Sequence, residues 1–276
     1  MDAGEDCQSA VREEVTNESV AFGVDIGGSG IKGAPVDLAT GELITRRHRI
    51  PTPQPSTPAA VAATVNDIVR HFAWTGPIGV TIPAVVQEGV VSTAANIDDG
   101  WIGTNAESLL SAATGYPARV LNDADAAGIA EVRYGAGIGF SGLIVLLTFG
   151  TGIGSAVVYD GHLIPNTEFG HLEFNGMDAE HYAAARHVER DEMDLAVWAR
   201  RVGEYLRYLE RVLTPDLFVF GGGISKRFSQ ISSELDVATP VIAAKLRNNA
   251  GIVGAALATV NVDGGARHRT GLKENG

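Results

Sequence analysis

The 276-residue chain has a single cysteine, Cys7, so neither an internal disulfide nor a cysteine-ligated zinc site can form within it. Positive charge is also scarce: 21 Lys and Arg stand against 33 Asp and Glu, a formal net charge of −12. That field repels nucleic acid and argues against it as a ligand, and a polyanion would need local basic patches instead. Long apolar runs are missing too, none nearing the ~18 residues of a membrane span. The first residues, MDAGEDCQSAVREEVTNES, are acidic and lack the apolar core of a secretion signal. These deficits predict a soluble, cytoplasmic protein with no membrane partner.

What is present is a large core. Hydrophobic residues make up 45% and charged residues 20%, and 276 residues exceed the usual size of one compact domain, so two domains meeting at a cleft are expected. Residues 1–19 and 261–276 are polar or Gly-rich and read as flexible tails. Between them β-branched runs alternate with Ala-rich helical patterns, an α/β signature. Strands are expected at 21–26, 78–82, 120–121, 143–149, 155–159 and 217–220, and helices at 57–72, 124–132, 195–212 and 252–260. The last helix is almost wholly small and apolar, hence buried, and can pack back on the first lobe.

A weak internal repeat organises the chain. Residues 24–44 and 147–164 share a strand, a Gly-rich turn, a second strand and a turn ending in Leu-Ile. Two copies of one hairpin unit at domain-sized spacing imply two similar lobes, 20–122 and 123–260.

The first hairpin contains GSGIKG at 28–33, a G-x-G-x-x-G match. A dinucleotide site would need a helix opening inside the glycines, whereas Gly33 to Leu38 continues as strand. No P-loop is present. What remains is a turn through Gly27, Gly28, Ser29 and Gly30 whose backbone N–H groups can approach phosphate, with Lys32 as a point charge and Asp25 as a partner for hydrated Mg²⁺. The competing reading is a tight turn with a surface lysine. The second hairpin, FGTGIG, adds Thr148, Gly150, Thr151 and Gly152, and two such turns facing one another would clamp one phosphate chain. A third run, Gly221, Gly222 and Gly223, precedes a helix expected near Ser225 and offers either a nucleotide or distal-phosphate site or a packing turn.

Asn122 and Asp123 end a buried-looking strand and start a helix. Asp123 suits either a helix N-cap or a general base aimed into a cleft. Glu168 and His171 lie in a loop-like segment, with Glu180 beyond. With Asn122 they make a plausible sugar site, because hydroxyls need partners that both donate and accept. Basic candidates for a polyanion are the run Arg46, Arg47, His48 and Arg49 and the pairs Arg200, Arg201 and Lys226, Arg227; each alone reads more simply as a solvated face.

In order and spacing, DIGGSGIK, NIDDGW, LNDADAAG, TFGTGIG, EFGH and FGGGIS resemble the ROK family of sugar kinases, and within it the polyphosphate-using glucokinases, over roughly residues 20–260. The resemblance implies an α/β fold of the actin-like ATPase (ribonuclease H-like) class, duplicated, with two lobes around a central cleft, and a homodimer. It implies phosphoryl transfer to glucose from inorganic polyphosphate, with ATP as a further donor and Mg²⁺ as cofactor; an ATP-preferring glucose or mannose kinase is the alternative. Asp123 would take the proton of the sugar 6-hydroxyl, and Asn96, Asn122, Glu168, His171 and Glu180 would hold the other hydroxyls. Many ROK kinases carry a cysteine cluster for zinc just after the Gly-His pair. Residues 172–191 contain no cysteine, so no zinc is expected and His171 is left as a sugar contact. Sugar-responsive repressors share this fold, but the short acidic stretch before the first strand leaves no room for a DNA-binding module.

Overall fold

The computed structural model describes residues 19–94 and 97–260. The expected tails, apart from Ser19, and the candidate Asn96 lie outside the described residues.

The chain opens with strand β1 (Val20–Gly27), turns into β2 (Gly30–Asp37) and β3 (His48–Ile50), and crosses through helix α1 (Pro58–His71) to β4 (Ile78–Ile82). A small hairpin, β5 (Val86–Gln87) and β6 (Val90–Val91), leads to α2 (Ala106–Thr114) and β7 (Ala118–Asn122). The second half follows with α3 (Asp123–Tyr134), β8 (Leu143–Phe149), β9 (Ile153–Tyr159) and β10 (His162–Ile164). After a short hairpin, β11 (Glu173–Phe174) and β12 (Met177–Asp178), come α4 (Ala179–Ala183), α5 (Arg186–Glu189) and α6 (Leu195–Leu213). Strand β13 (Leu217–Gly221), α7 (Phe228–Ile231), β14 (Val241–Ala243) and α8 (Ala250–Leu257) complete the chain.

The duplication read from the sequence is visible in the topology. One sheet runs β3-β2-β1-β4-β7 and the other β10-β9-β8-β13-β14. In each, the first three strands form an antiparallel meander and the last two join parallel to its leading strand. This repeated five-stranded plan is that of the actin-like ATPase fold. The expected strands and helices occur within a few residues of their predicted bounds. An exception is the helix near Ser225, where Gly223–Arg227 is a 3-10 turn and only the four residues of α7 are α-helical. There Gly222 has φ 85°, and a Cβ on it would sit 2.1 Å from the Phe149 carbonyl oxygen, so close packing governs the turn.

Local signals place the helices. Thr57 caps α1, with Pro58 in its first turn, and Val61, Ala62, Val65, Ile68 and Val69 line its buried face. Asp194 caps α6, which buries Trp198, Ala199, Val202, Tyr205, Leu206 and Leu209 at helical spacing. All eight residues of α8 are buried, against β1 and β4 on one side and α3 on the other. Glycines permit that approach: a Cβ on Gly79 of β4 would sit 1.6 Å from the Ala255 carbonyl oxygen, and one on Gly254 1.9 Å from that of Ala126. The layer of β1, α8 and α3 therefore fixes the end of β1, which carries Asp25, relative to the start of α3, which carries Asp123. No helix among the described residues is long and apolar enough to cross a membrane.

Candidate active site

Asp123 is not the cap of α3. Asn122 is: its backbone is extended (φ −61°, ψ 146°), and its Oδ1 accepts from the N–H groups of Ala124 (2.8 Å) and Asp125 (3.1 Å). Its Nδ2 donates to the Ala84 carbonyl at 3.2 Å, so most of this carboxamide's bonding capacity is spent on structure. Asp123 becomes the first helical residue and accepts from the Ala124 N–H at 2.9 Å. Burial, with the Asp25 and Glu168 charges beside it, pushes its carboxyl from 3.8 up to about 7. A carboxylate titrating near neutrality is tuned to take a proton at the operating pH.

At the first hairpin Asp25 and Lys32 face each other across the ladder, with Nζ 2.9 Å from Oδ2, and the Thr81 hydroxyl donates to Oδ1 at 2.9 Å. Lys32 is thus already paired rather than a free point charge. Arg49, opposite Lys32 on β3, reaches over the turn and donates to the Ser29 carbonyl at 2.6 Å. The rest of its run diverges: Arg47 bonds the Asn249 carboxamide and His48 stacks on His71.

The second hairpin is braced by residues of α4 and α5. The Gly150 N–H donates to the Gly152 carbonyl at 3.0 Å. Arg186, at the start of α5, donates its backbone N–H to the Gly150 carbonyl at 3.1 Å and Nη1 to the Thr151 carbonyl at 3.0 Å. Glu180 accepts from the Ile153 N–H at 3.4 Å, and a Cβ on Gly152 would lie 2.3 Å from its Oε2, so only glycine leaves this carboxylate in place. Thr148 Oγ1 and the Ala124 methyl both border the Cβ position of Gly154, which brings this hairpin to the start of α3. Gly221 pairs with Thr148 in the ladder, and Gly223 has open space around it.

The sugar-loop candidates gather beside these turns. Phe169–His171 form a 3-10 turn, held where the Phe169 N–H donates to Ser155 Oγ (2.9 Å) and the Tyr205 hydroxyl to the Phe169 carbonyl (2.8 Å). His171 Nδ1 lies 3.1 Å from Asp178 Oδ2, which leaves Nε2 for a ligand. Burial raises the Glu168 carboxyl, His171 opposes that shift and Glu180 adds to it, so the three groups share one electrostatic neighbourhood. The other basic pairs are engaged elsewhere: Arg200 with Glu234, Arg201 over the Tyr182 ring, Arg227 with Gln230. Among the described residues, no group of three or more His, Cys, Asp and Glu side chains is placed to hold a metal ion. Asp25, with Asp123 close enough to feel its charge, still fits Mg²⁺, which takes one or two carboxylates and completes its shell with waters and substrate phosphates.

The sequence model of the ROK family matches residues 21–187. The chain belongs to the ROK family. It is 54% identical over 246 residues to a protein of Mycobacterium tuberculosis named polyphosphate glucokinase, covering 89% of this chain and 93% of that one. A polyphosphate glucokinase of Mycobacterium leprae is 55% identical over 245 residues, covering 88% and 76%. Among solved structures, an inorganic polyphosphate/ATP-glucomannokinase from Arthrobacter sp. strain KM superposes with a TM-score of 0.84 at 47% identity, covering 87% of this chain and 98% of that one. A ROK glucokinase from Streptomyces griseus in complex with glucose and AMPPNP matches at TM-score 0.73 and 24% identity, over 86% and 98%, a likeness of fold.

Around these candidate residues, motif reading missed Arg186, Asp178 and Arg49's place over the first turn. Arg186 and Asp178 sit in a region with no repeated pattern, and only the three-dimensional path of α5 and β12 brings them to the glycine turn and the imidazole. Asp125 carried no motif signal either, though it is only 2% exposed and burial pushes its carboxyl from 3.8 up to about 7.

Proposed function

We propose that this ROK-family chain transfers a phosphoryl group from inorganic polyphosphate to the 6-hydroxyl of glucose, giving glucose 6-phosphate. The observation that carries the donor and acceptor is the 54% identity to polyphosphate glucokinases over nearly the whole chain. A second reading widens both substrates to ATP and mannose, and the 47% identity to a polyphosphate/ATP-glucomannokinase favours it.

In this proposal Glu168, His171 and Glu180 orient the hexose so that its 6-hydroxyl points at Asp123. The hydroxyls find acceptors in the two carboxylates and a donor or acceptor in His171 Nε2. Phosphoryl transfer passes through a loose transition state, so Asp123 mainly aligns the hydroxyl and takes its proton late. The turn at 27–30 and the Thr151–Gly152 part of the second turn offer backbone N–H groups to the donor's terminal phosphates, with Lys32 exchanging its partner Asp25 for phosphate oxygens. Asp25 would hold Mg²⁺, which supplies charge neutralisation on the transferred group. Arg49 and Arg186 keep the two turns in shape and add positive charge at the mouth, where a longer polyanion would leave the cleft.

The remaining parts of the proposal are the lobe boundary at 122/123, closure of the lobes on substrate, cytoplasmic residence with Cys7 reduced, and a homodimer. The test is direct: incubate the purified full chain with glucose or mannose and nucleotide-free long-chain polyphosphate or ATP, and identify the hexose phosphate by mass spectrometry. Glucose 6-phosphate formed from polyphosphate supports the proposal; no hexose phosphate from any pair refutes it.

A further inference from the structure

We infer that Asn166 is a positioning residue that holds the sugar-binding loop against the first lobe and the catalytic end of α3. It lies in the segment between β10 and the Phe169 turn, two residues before Glu168, with a left-handed backbone (φ 58°). Its carboxamide pairs with the peptide of Val86 on β5 as a neighbouring strand would: the Val86 N–H donates to Oδ1 at 3.0 Å, and Nδ2 donates to the Val86 carbonyl at 2.9 Å. Its own backbone N–H donates to Asp125 Oδ2 at 2.8 Å. Asp125 is buried on α3, two residues after the base Asp123.

One residue therefore joins three parts of the site. Strand β5 belongs to the first half of the chain, α3 carries the base, and the loop carries Glu168. The next residues are anchored within the second lobe, Thr167 by Oγ1 donating to the Ser155 carbonyl at 3.2 Å and Phe169 by its N–H donating to Ser155 Oγ at 2.9 Å. Glu168 sits between those two fixed neighbours, and Asn166 supplies the link across to the first lobe. The same stretch of that lobe also accepts from Asn122 at Ala84, so two carboxamides grip residues 84–86.

The chemistry requires asparagine. Pairing with the backbone N–H and C=O of one residue takes one donor and one acceptor side by side; aspartate offers two acceptors and would set a negative charge against the Val86 carbonyl and Asp125, and alanine offers neither. Displacing a substrate-orienting group by about 1 Å costs up to roughly a hundredfold in rate, so loss of this link is read in the sugar rather than in the donor.

This assignment rests on the glucokinase reading. The test compares initial rates of wild type, Asn166→Ala and the isosteric Asn166→Asp in the full chain, varying glucose and polyphosphate separately. A rise in the glucose KM of about tenfold or more in both variants, with the polyphosphate KM within twofold of wild type, is expected. Glucose affinity measured by titration calorimetry should fall in parallel. If the alanine variant does not fold, the aspartate variant carries the same comparison. An unchanged glucose KM, or glucose and donor KM rising together, would overturn the assignment while leaving the glucokinase reading intact. A wild-type chain that makes no hexose phosphate would overturn both.

Discussion

The Asp123 carboxyl, raised from 3.8 to about 7, makes a quantitative prediction for the pH profile. A general base acts only when deprotonated, so kcat/KM for glucose should be half-maximal near pH 7 and lose about tenfold for each pH unit below it, reaching roughly one hundredth at pH 5. The causes are separable. Burial comes first, then the Asp25 charge, then Glu168, so Glu168→Gln should move the midpoint downward. Asp123→Asn keeps the size and a hydrogen-bonding group while removing the proton acceptor, and turnover should fall by on the order of a hundredfold or more with glucose affinity largely kept. The assay is the initial rate at saturating donor and glucose well below its KM, from pH 5 to 9. A wild-type profile flat from pH 5 to 8, or near-normal turnover of Asp123→Asn, would refute the assignment.

Three further outcomes are expected. Folding raises the Asp125 carboxyl from 3.8 to about 7, so the native state binds that proton more tightly: its stabilising effect is full below pH ~4 and is lost as pH rises through about 7, at up to about 1.4 kcal/mol per pH unit. Asp125→Asn keeps an oxygen for the Asn166 N–H, so its Tm relative to wild type should climb between pH 5 and 8 in calorimetry; a constant difference would contradict this. Gly79→Ala would place a Cβ 1.6 Å from the Ala255 carbonyl oxygen, a backbone atom that cannot step aside, and should cost about 3 kcal/mol or more; a Tm within about 2 °C of wild type would count against that packing. Raising salt should increase the KM for long-chain polyphosphate more steeply than that for ATP, because a longer polyanion held by Arg49 and Arg186 releases more counterions; equal slopes would mean that only terminal phosphates are held.

The sequence made the frame legible because its signals are local. β-branched and apolar runs marked β4, β8 and β13, and Ala-rich patterns marked helices such as α1. The two similar hairpins foretold the duplicated sheet order. Division of labour at residues 122 and 123 was less legible, since Asn and Asp both cap helices and only the hydrogen bonds of Asn122 free its neighbour. The braces of the site were not legible at all. Arg186, Asn166 and Asp125 act through partners 35, 80 and 41 residues away in sequence, and no spacing rule spans such distances. The helix expected near Ser225 was not legible either, because the conformation of Gly222 answers to the backbone of Phe149 and the chain continues as a 3-10 turn.

Donor choice is decided by the ratio of kcat/KM for long-chain polyphosphate to that for ATP, measured on the wild-type chain with glucose and Mg²⁺ in a coupled glucose 6-phosphate assay. A ratio above one is expected, with Asp123→Asn lowering both terms together. Turnover with ATP alone would contradict the polyphosphate donor.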